Sequence, residues 1–144
     1  MSNKNDSYLP LTEELSLQYT KDPLHFCLFS ILETNRVNNC ETIHSHLGHS
    51  LDQFEIRLRI DAVYHIVNRH SLRGAADKII KASDFSLIDR LIIENDKLSP
   101  GKDDKKNGMK RLIFQKKIEA VTYKLITQIH LKRKYLSVIT FYKV

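Results

Sequence analysis

Apolar positions along much of this chain recur every three or four residues, the interval that lines one side of a helix. Leu24, Cys27, Leu28, Ile31 and Leu32 follow Asp22-Pro23, where Asp can cap a helix and Pro suits its first position, so a core helix is expected over 23–34. Phe26 and Phe29 widen its face. Upstream, Thr12-Glu13-Glu14-Leu15 predicts a shorter helix ending near Thr20. Asn35, Asn38 and Asn39 mark a turn, and residues 40–47 predict a short helix closed by Gly48. Ser50-Leu-Asp-Gln53 fits a capping box for the next element.

That next stretch fits two patterns. Phe54, Ile56, Leu58 and Ile60 alternate with charged residues as on a half-buried strand. Yet Glu55 and Arg59, and Arg57 and Asp61, are opposite charges four apart, as on a helix. With no nearby second alternating run to complete a hairpin, a central helix continuing to about Arg69 is favoured. Ser71 then opens a helix through Ile80 and Ala82, and Ser83-Asp84 opens another with Phe85, Ile88, Leu91 and Ile92 on its core face. Residues 95–108 have little to bury and predict a mobile loop.

From about Met109, Phe114, Ile118, Val121, Leu125, Ile129 and Leu136 trace one face of a long helix. Tyr135 to Tyr142 is β-branched and aromatic, but a lone strand lacks a partner, so it is expected as a helical tail. The sum is an all-α fold: a compact multi-helix bundle of about six helices in one domain over 1–144, with a long basic C-terminal helix.

Composition leaves that picture intact. The 144 residues are 42% hydrophobic and 28% charged, as in globular chains. A chain of this length buries ~70% of its unfolded surface, so neither metal nor disulfide is required for stability. Cys27 and Cys40 make no disulfide framework, which favours a reducing compartment. The first twenty residues do not resemble a signal peptide, and no run reaches the ~18 apolar residues of a membrane span. A cytoplasmic protein is expected, or one exported without an ordinary signal. The Lys-, Asn- and Ile-rich texture suggests a small bacterial protein, including a host-directed effector.

Charge changes the picture more. Residues 1–99 hold 11 Lys and Arg against 14 Asp and Glu, whereas residues 100–144 hold 12 against 3. Lys110, Lys117 and Lys124 recur every seven residues, joined by Lys106 and Lys116, and on a helix they form an outward cationic face. This predicts a non-enzymatic interaction module, an adaptor or regulator, docking an acidic protein surface or an anionic lipid. Lysines without interleaved aromatics speak against single-strand nucleic-acid binding.

The alternative is a DNA-binding regulator. Ser71 to Arg90 resembles a helix-turn-helix through Ala75-Ala76, a turn near Ala82-Ser83-Asp84 and Ile88, with Arg73, Lys78 and Arg90 as contacts. The match is short, its turn lacks glycine, and Asp84 and Asp89 would face phosphates. For metal, Cys40 and His44 stand four apart with His49 beyond, yet no repeated ligand spacing supports them, and the segment reads as helix punctuation. Cys40 with His44 as a thiolate pair lacks any motif that positions a third group, and His65 and His70, flanking the end of the expected central helix, read as interior or capping histidines. No cofactor and no enzyme activity are expected from these patterns.

Overall fold

The computed structural model describes residues 26–59, 62, 65–66, 80 and 82–144. In chain order these form β1 (Phe26–Ile31), a 3-10 turn (Thr34–Arg36), α1 (Cys40–Leu47), β2 (Glu55–Arg59), a second 3-10 segment (Ala82–Leu87), α2 (Ile88–Ile93), β3 (Lys97–Pro100), β4 (Arg111–Ile118), β5 (Val121–His130) and β6 (Tyr135–Lys143). The six strands make one sheet in the order β1-β2-β6-β5-β4-β3. Strands β3 to β6 are an antiparallel meander, β1 and β2 are antiparallel, and β2 runs parallel to β6. The expected all-α bundle is therefore wrong: the fold is sheet-dominated, with two short α-helices among the described residues.

The long C-terminal helix is replaced by the β4–β5 hairpin and β6. A four-residue spacing is one helical turn, but it is also two strand periods, so Phe114 to Ile118 and Leu125 to Ile129 satisfy both. The intermediate positions decide it. Leu112 and Tyr123 complete a period of two, and all six residues are buried. The step of three from Ile118 to Val121 crosses a two-residue turn, Glu119-Ala120, with φ of 50° and 67°. Both residues occupy left-handed conformations, as a type I′ hairpin turn demands.

Residues 55–59 resolve as a strand whose partners come from far along the chain, Phe26–Ile31 upstream and Tyr135–Ser137 downstream. Ile56 and Leu58 are buried on one face while Glu55 and Arg57 share the other, paired two apart at 2.6 Å instead of four apart. The helix expected over 23–34 is likewise β1 from Phe26 onward, and residues 97–100 of the expected loop form edge strand β3. The helices expected at 12–20 and across 71–79 lie outside the described residues.

One face of the sheet carries the core. Leu112 and Phe114 of β4, Leu125 and Ile129 of β5, Leu136, Val138 and Phe141 of β6, and Ile56 and Leu58 of β2 pack against Ile43 of α1, Ile88, Leu91 and Ile92 of α2, and Phe85. Phe141 is its pivot, with Phe85 edge-on at 5.7 Å and Tyr123 stacked at 5.6 Å. Each buried large apolar side chain contributes about 1.5–3 kcal/mol. Buried Asn95 ties α2 to the start of α1: its amide donates to the carbonyls of Asn38 (2.8 Å) and Ile92 (2.9 Å), and its oxygen accepts from Asn39 (2.8 Å). Helix α1 ends at Gly48, φ 77°, as the sequence suggests. The residues that follow form no capping box: Asp52 accepts from the Thr34 N–H at 2.6 Å, and the Thr34 hydroxyl accepts from the Leu51 N–H at 2.9 Å.

Candidate functional site

Alternation fixes what the opposite face of the sheet presents, because residues beside the core positions point the other way. Glu55 of β2 is in register with Tyr135 of β6, and Tyr135 with His130 of β5, so carboxylate, phenol and imidazole stand in one row across three strands. The next row on that face is Arg57, Ser137, Gln128 and Arg111. Two ladder rows thus bring a carboxylate, two guanidiniums, a hydroxyl and an imidazole together at the end of the strands beside the β5–β6 turn.

Contacts hold them in place. Arg57 donates to Glu55 at 2.6 Å, with side-chain exposures of 19% and 7%, and its guanidinium lies 4.2 Å from the centre of the Tyr135 ring. The His130 ring stacks on Tyr135 at 4.1 Å, and its Nε2 lies 3.0 Å from the Ser137 hydroxyl. Arg111 donates to Gln128 at 2.9 Å and to Asp104 at 3.0 Å. Burial, and then the charges of Arg57 and Arg133, push the His130 pKa below the ordinary imidazole value. Lys106 and Asn107 N–H groups, and then Arg111, hold the Asp104 carboxyl below the usual carboxylate range. Arg59 lies further along the same strand as Arg57.

The lysines expected to form one face are divided by the fold. Lys116 lies 3.4 Å from Asp96, whose carboxyl is lowered by the Lys117 N–H and by Lys116 itself. Lys117, exposed, pairs in register with Thr122, and Lys124 with Gln115 and Tyr142. Lys106 and Lys110 are exposed in the loop before β4, at the opposite end of the strands. The helical lysine stripe is thereby corrected: a sheet separates what a seven-residue period would stack.

Of the DNA-binding candidates, Arg73 and Lys78 lie outside the described residues. Arg90 sits on α2 beside Glu94 at 3.7 Å, and residues 82–87 before it are 3-10. Cys40 is partly buried against the core, while His44 and His49 are exposed, and His49 Nδ1 lies 2.8 Å from the Ser50 carbonyl. Among the described residues no three His, Cys, Asp or Glu side chains are grouped to hold a metal. No described helix is long and apolar enough to cross a membrane.

The sequence offered a signal for the two-row cluster in Glu55-Ile-Arg57-Leu-Arg59, whose alternation puts all three charges on one strand face. His130, Tyr135 and Ser137 carried none, because their meaning depends on a hairpin and on a parallel partner eighty residues away. Comparison with protein-family models, with curated proteins and with solved structures finds no match to this chain.

Proposed function

We propose that the second face of the sheet binds single-stranded RNA and cleaves its backbone, with a phosphodiester reaching the half-buried Arg57 and His130 that flank the buried Glu55 and Tyr135. The observation that carries this reading is the placement of Glu55 and His130 on either side of one strand, their backbones about 10 Å apart through two inter-strand spacings, with guanidiniums in the adjoining row. Tyr135 is 8% exposed, with the His130 ring stacked on it at 4.1 Å and the Arg57 guanidinium 4.2 Å from its centre, so it positions those two groups instead of stacking on a base.

RNA brings its own nucleophile. The 2′-oxygen bonds to phosphorus as the bond from phosphorus to the 5′-oxygen breaks. Glu55, paired with Arg57 at 2.6 Å, takes the 2′ proton, and protonated His130 gives one to the departing 5′-oxygen. Arg57 and Arg111 offset the charge gathering on the phosphate oxygens. Since burial and two guanidiniums disfavour protonated His130, that form is a stronger acid and less populated than an ordinary imidazolium, and the charge of an arriving phosphate favours it again. DNA, lacking the 2′-hydroxyl, binds and is not cut.

The test is incubation of the purified chain with end-labelled single-stranded RNA and DNA in EDTA. RNA alone should be cut, and Glu55→Gln and His130→Gln should each lower the rate by about 10²–10⁴-fold while melting as folded proteins. Intact RNA, or variants as active as the parent, would remove the proposal. The acidic protein or anionic lipid expected from the lysine content is favoured by a different surface, the cationic turn between β5 and β6.

A further inference from the structure

The turn that joins β5 to β6, Leu131-Lys132-Arg133-Lys134, is exposed at every residue. Leu131 is 50% exposed, one of three large apolar side chains so displayed among the described residues. Beside it opens a cavity of ≈ 260 Å³ lined by Leu47, Met109, Ile129 and Leu131, with Asn107, Gly108 and Lys110 at its polar side. Ile129 belongs to the core face and α1 supplies Leu47, so this cavity opens on the opposite side of the sheet from the Glu55–His130 row, although His130 stands between its lining residues Ile129 and Leu131 in the chain. The backbone holds it open: the Ile129 N–H donates to the Lys110 carbonyl at 2.9 Å, which pins the 107–110 loop against β5.

Lys110 lines this opening, Lys105 and Lys106 precede its lining residue Asn107, and Lys132, Arg133 and Lys134 follow its lining residue Leu131; all six are exposed, and none forms an ion pair with a described residue. Of the two carboxylates in the same loop, Asp104 is already held by Arg111 and by the N–H groups of Lys106 and Asn107, and Asp103 is exposed, leaving the cations in excess. Six exposed cations without a partner among the described residues, in the two turns beside an apolar hollow, define a complement: carboxylates flanking a large apolar side chain. The hollow favours a polypeptide over a membrane. A bilayer is flat and receives protruding groups, whereas a cavity of this size accepts a protruding one, on the scale of one or two large side chains.

We infer that this surface docks an acidic polypeptide segment that inserts one large apolar side chain between Leu47, Met109, Ile129 and Leu131 while its carboxylates meet the two lysine-rich turns. The field of those cations speeds encounter and makes it salt-dependent, and the buried anchor sets the lifetime of the complex. This inference does not rest on the RNA reading, and either stands if the other fails.

The experiment is selection of a displayed random dodecapeptide library on the wild-type chain, with counter-selection on Leu131→Asp. That variant changes an exposed turn residue, and its melting curve confirms its fold. Enriched peptides should be acidic around a single Leu, Phe or Trp. Fluorescence anisotropy of one such peptide should show binding weakened at least tenfold by Leu131→Asp, by the triple change Lys132→Glu, Arg133→Glu and Lys134→Glu, and by alanine at the peptide's apolar position. Enrichment of neutral or basic peptides, or an alanine-substituted peptide that binds equally well, would overturn the anchored-peptide mode. Failure to enrich any peptide, with or without Leu131-dependent sedimentation on phosphatidylserine vesicles, would overturn it too.

Discussion

Single residues explain where sequence patterns and the fold diverge. Asn95 falls in a stretch that looks like loop, yet it is 1% exposed and its side chain makes three hydrogen bonds joining α2, Asn38 and Asn39. A buried amide of this kind is worth more through the partners it satisfies than through its own contacts. Asn95→Ala leaves the Ile92 and Asn38 carbonyls and the Asn39 amide unmet. We expect a loss of about 2–4 kcal/mol in urea unfolding, against under 0.5 kcal/mol for exposed Asn107→Ala. Arg57 shows the same logic in the site. In the sequence it is one of 23 basic residues, but the strand sets it beside Glu55 and over Tyr135, where its charge also depresses His130.

At the scale of elements, the short helix 40–47 and its Gly48 stop were legible because every determinant is local. Strands β4 to β6 were not, since their apolar residues at intervals of four suit either period. The usual hairpin marker is also missing, because Glu119-Ala120 stands where Asn-Gly is the common choice. A left-handed non-glycine residue costs about 1 kcal/mol, so Glu119→Asn with Ala120→Gly should raise the unfolding free energy by about 1 kcal/mol in urea titration. An equal loss would mean that the turn is not the type I′ loop described. Strand β2 was ambiguous for a further reason. Its alternation was visible, but both of its partners are remote, and local charge pairing at i, i+4 offered a helix in their place.

For the whole molecule, the sequence correctly showed a cationic C-terminal third, and the sheet then redistributed it. One helix would have made a single stripe. The meander instead sends Arg111, Lys117 and Lys124 to one face, ties Lys116 and Lys143 to Asp96 and Asp84, and leaves the cations of the 105–110 and 131–134 turns without an ion pair to a described residue at one end. The candidate chemistry arises only at this scale, because Glu55 and His130 are brought to the same row by the parallel pairing of β2 with β6. The central claim is that this row receives a phosphate, and His130 reports it. Its imidazole titration, followed by NMR and assigned with His130→Gln, should have a midpoint below the ordinary histidine value in the free protein. The midpoint should move upward on saturation with a 2′-O-methyl dinucleotide, whose phosphodiester offsets the charges of Arg57 and Arg133 and cannot be cleaved by its own 2′-oxygen. A midpoint that stays where it was with the dinucleotide bound would contradict the account.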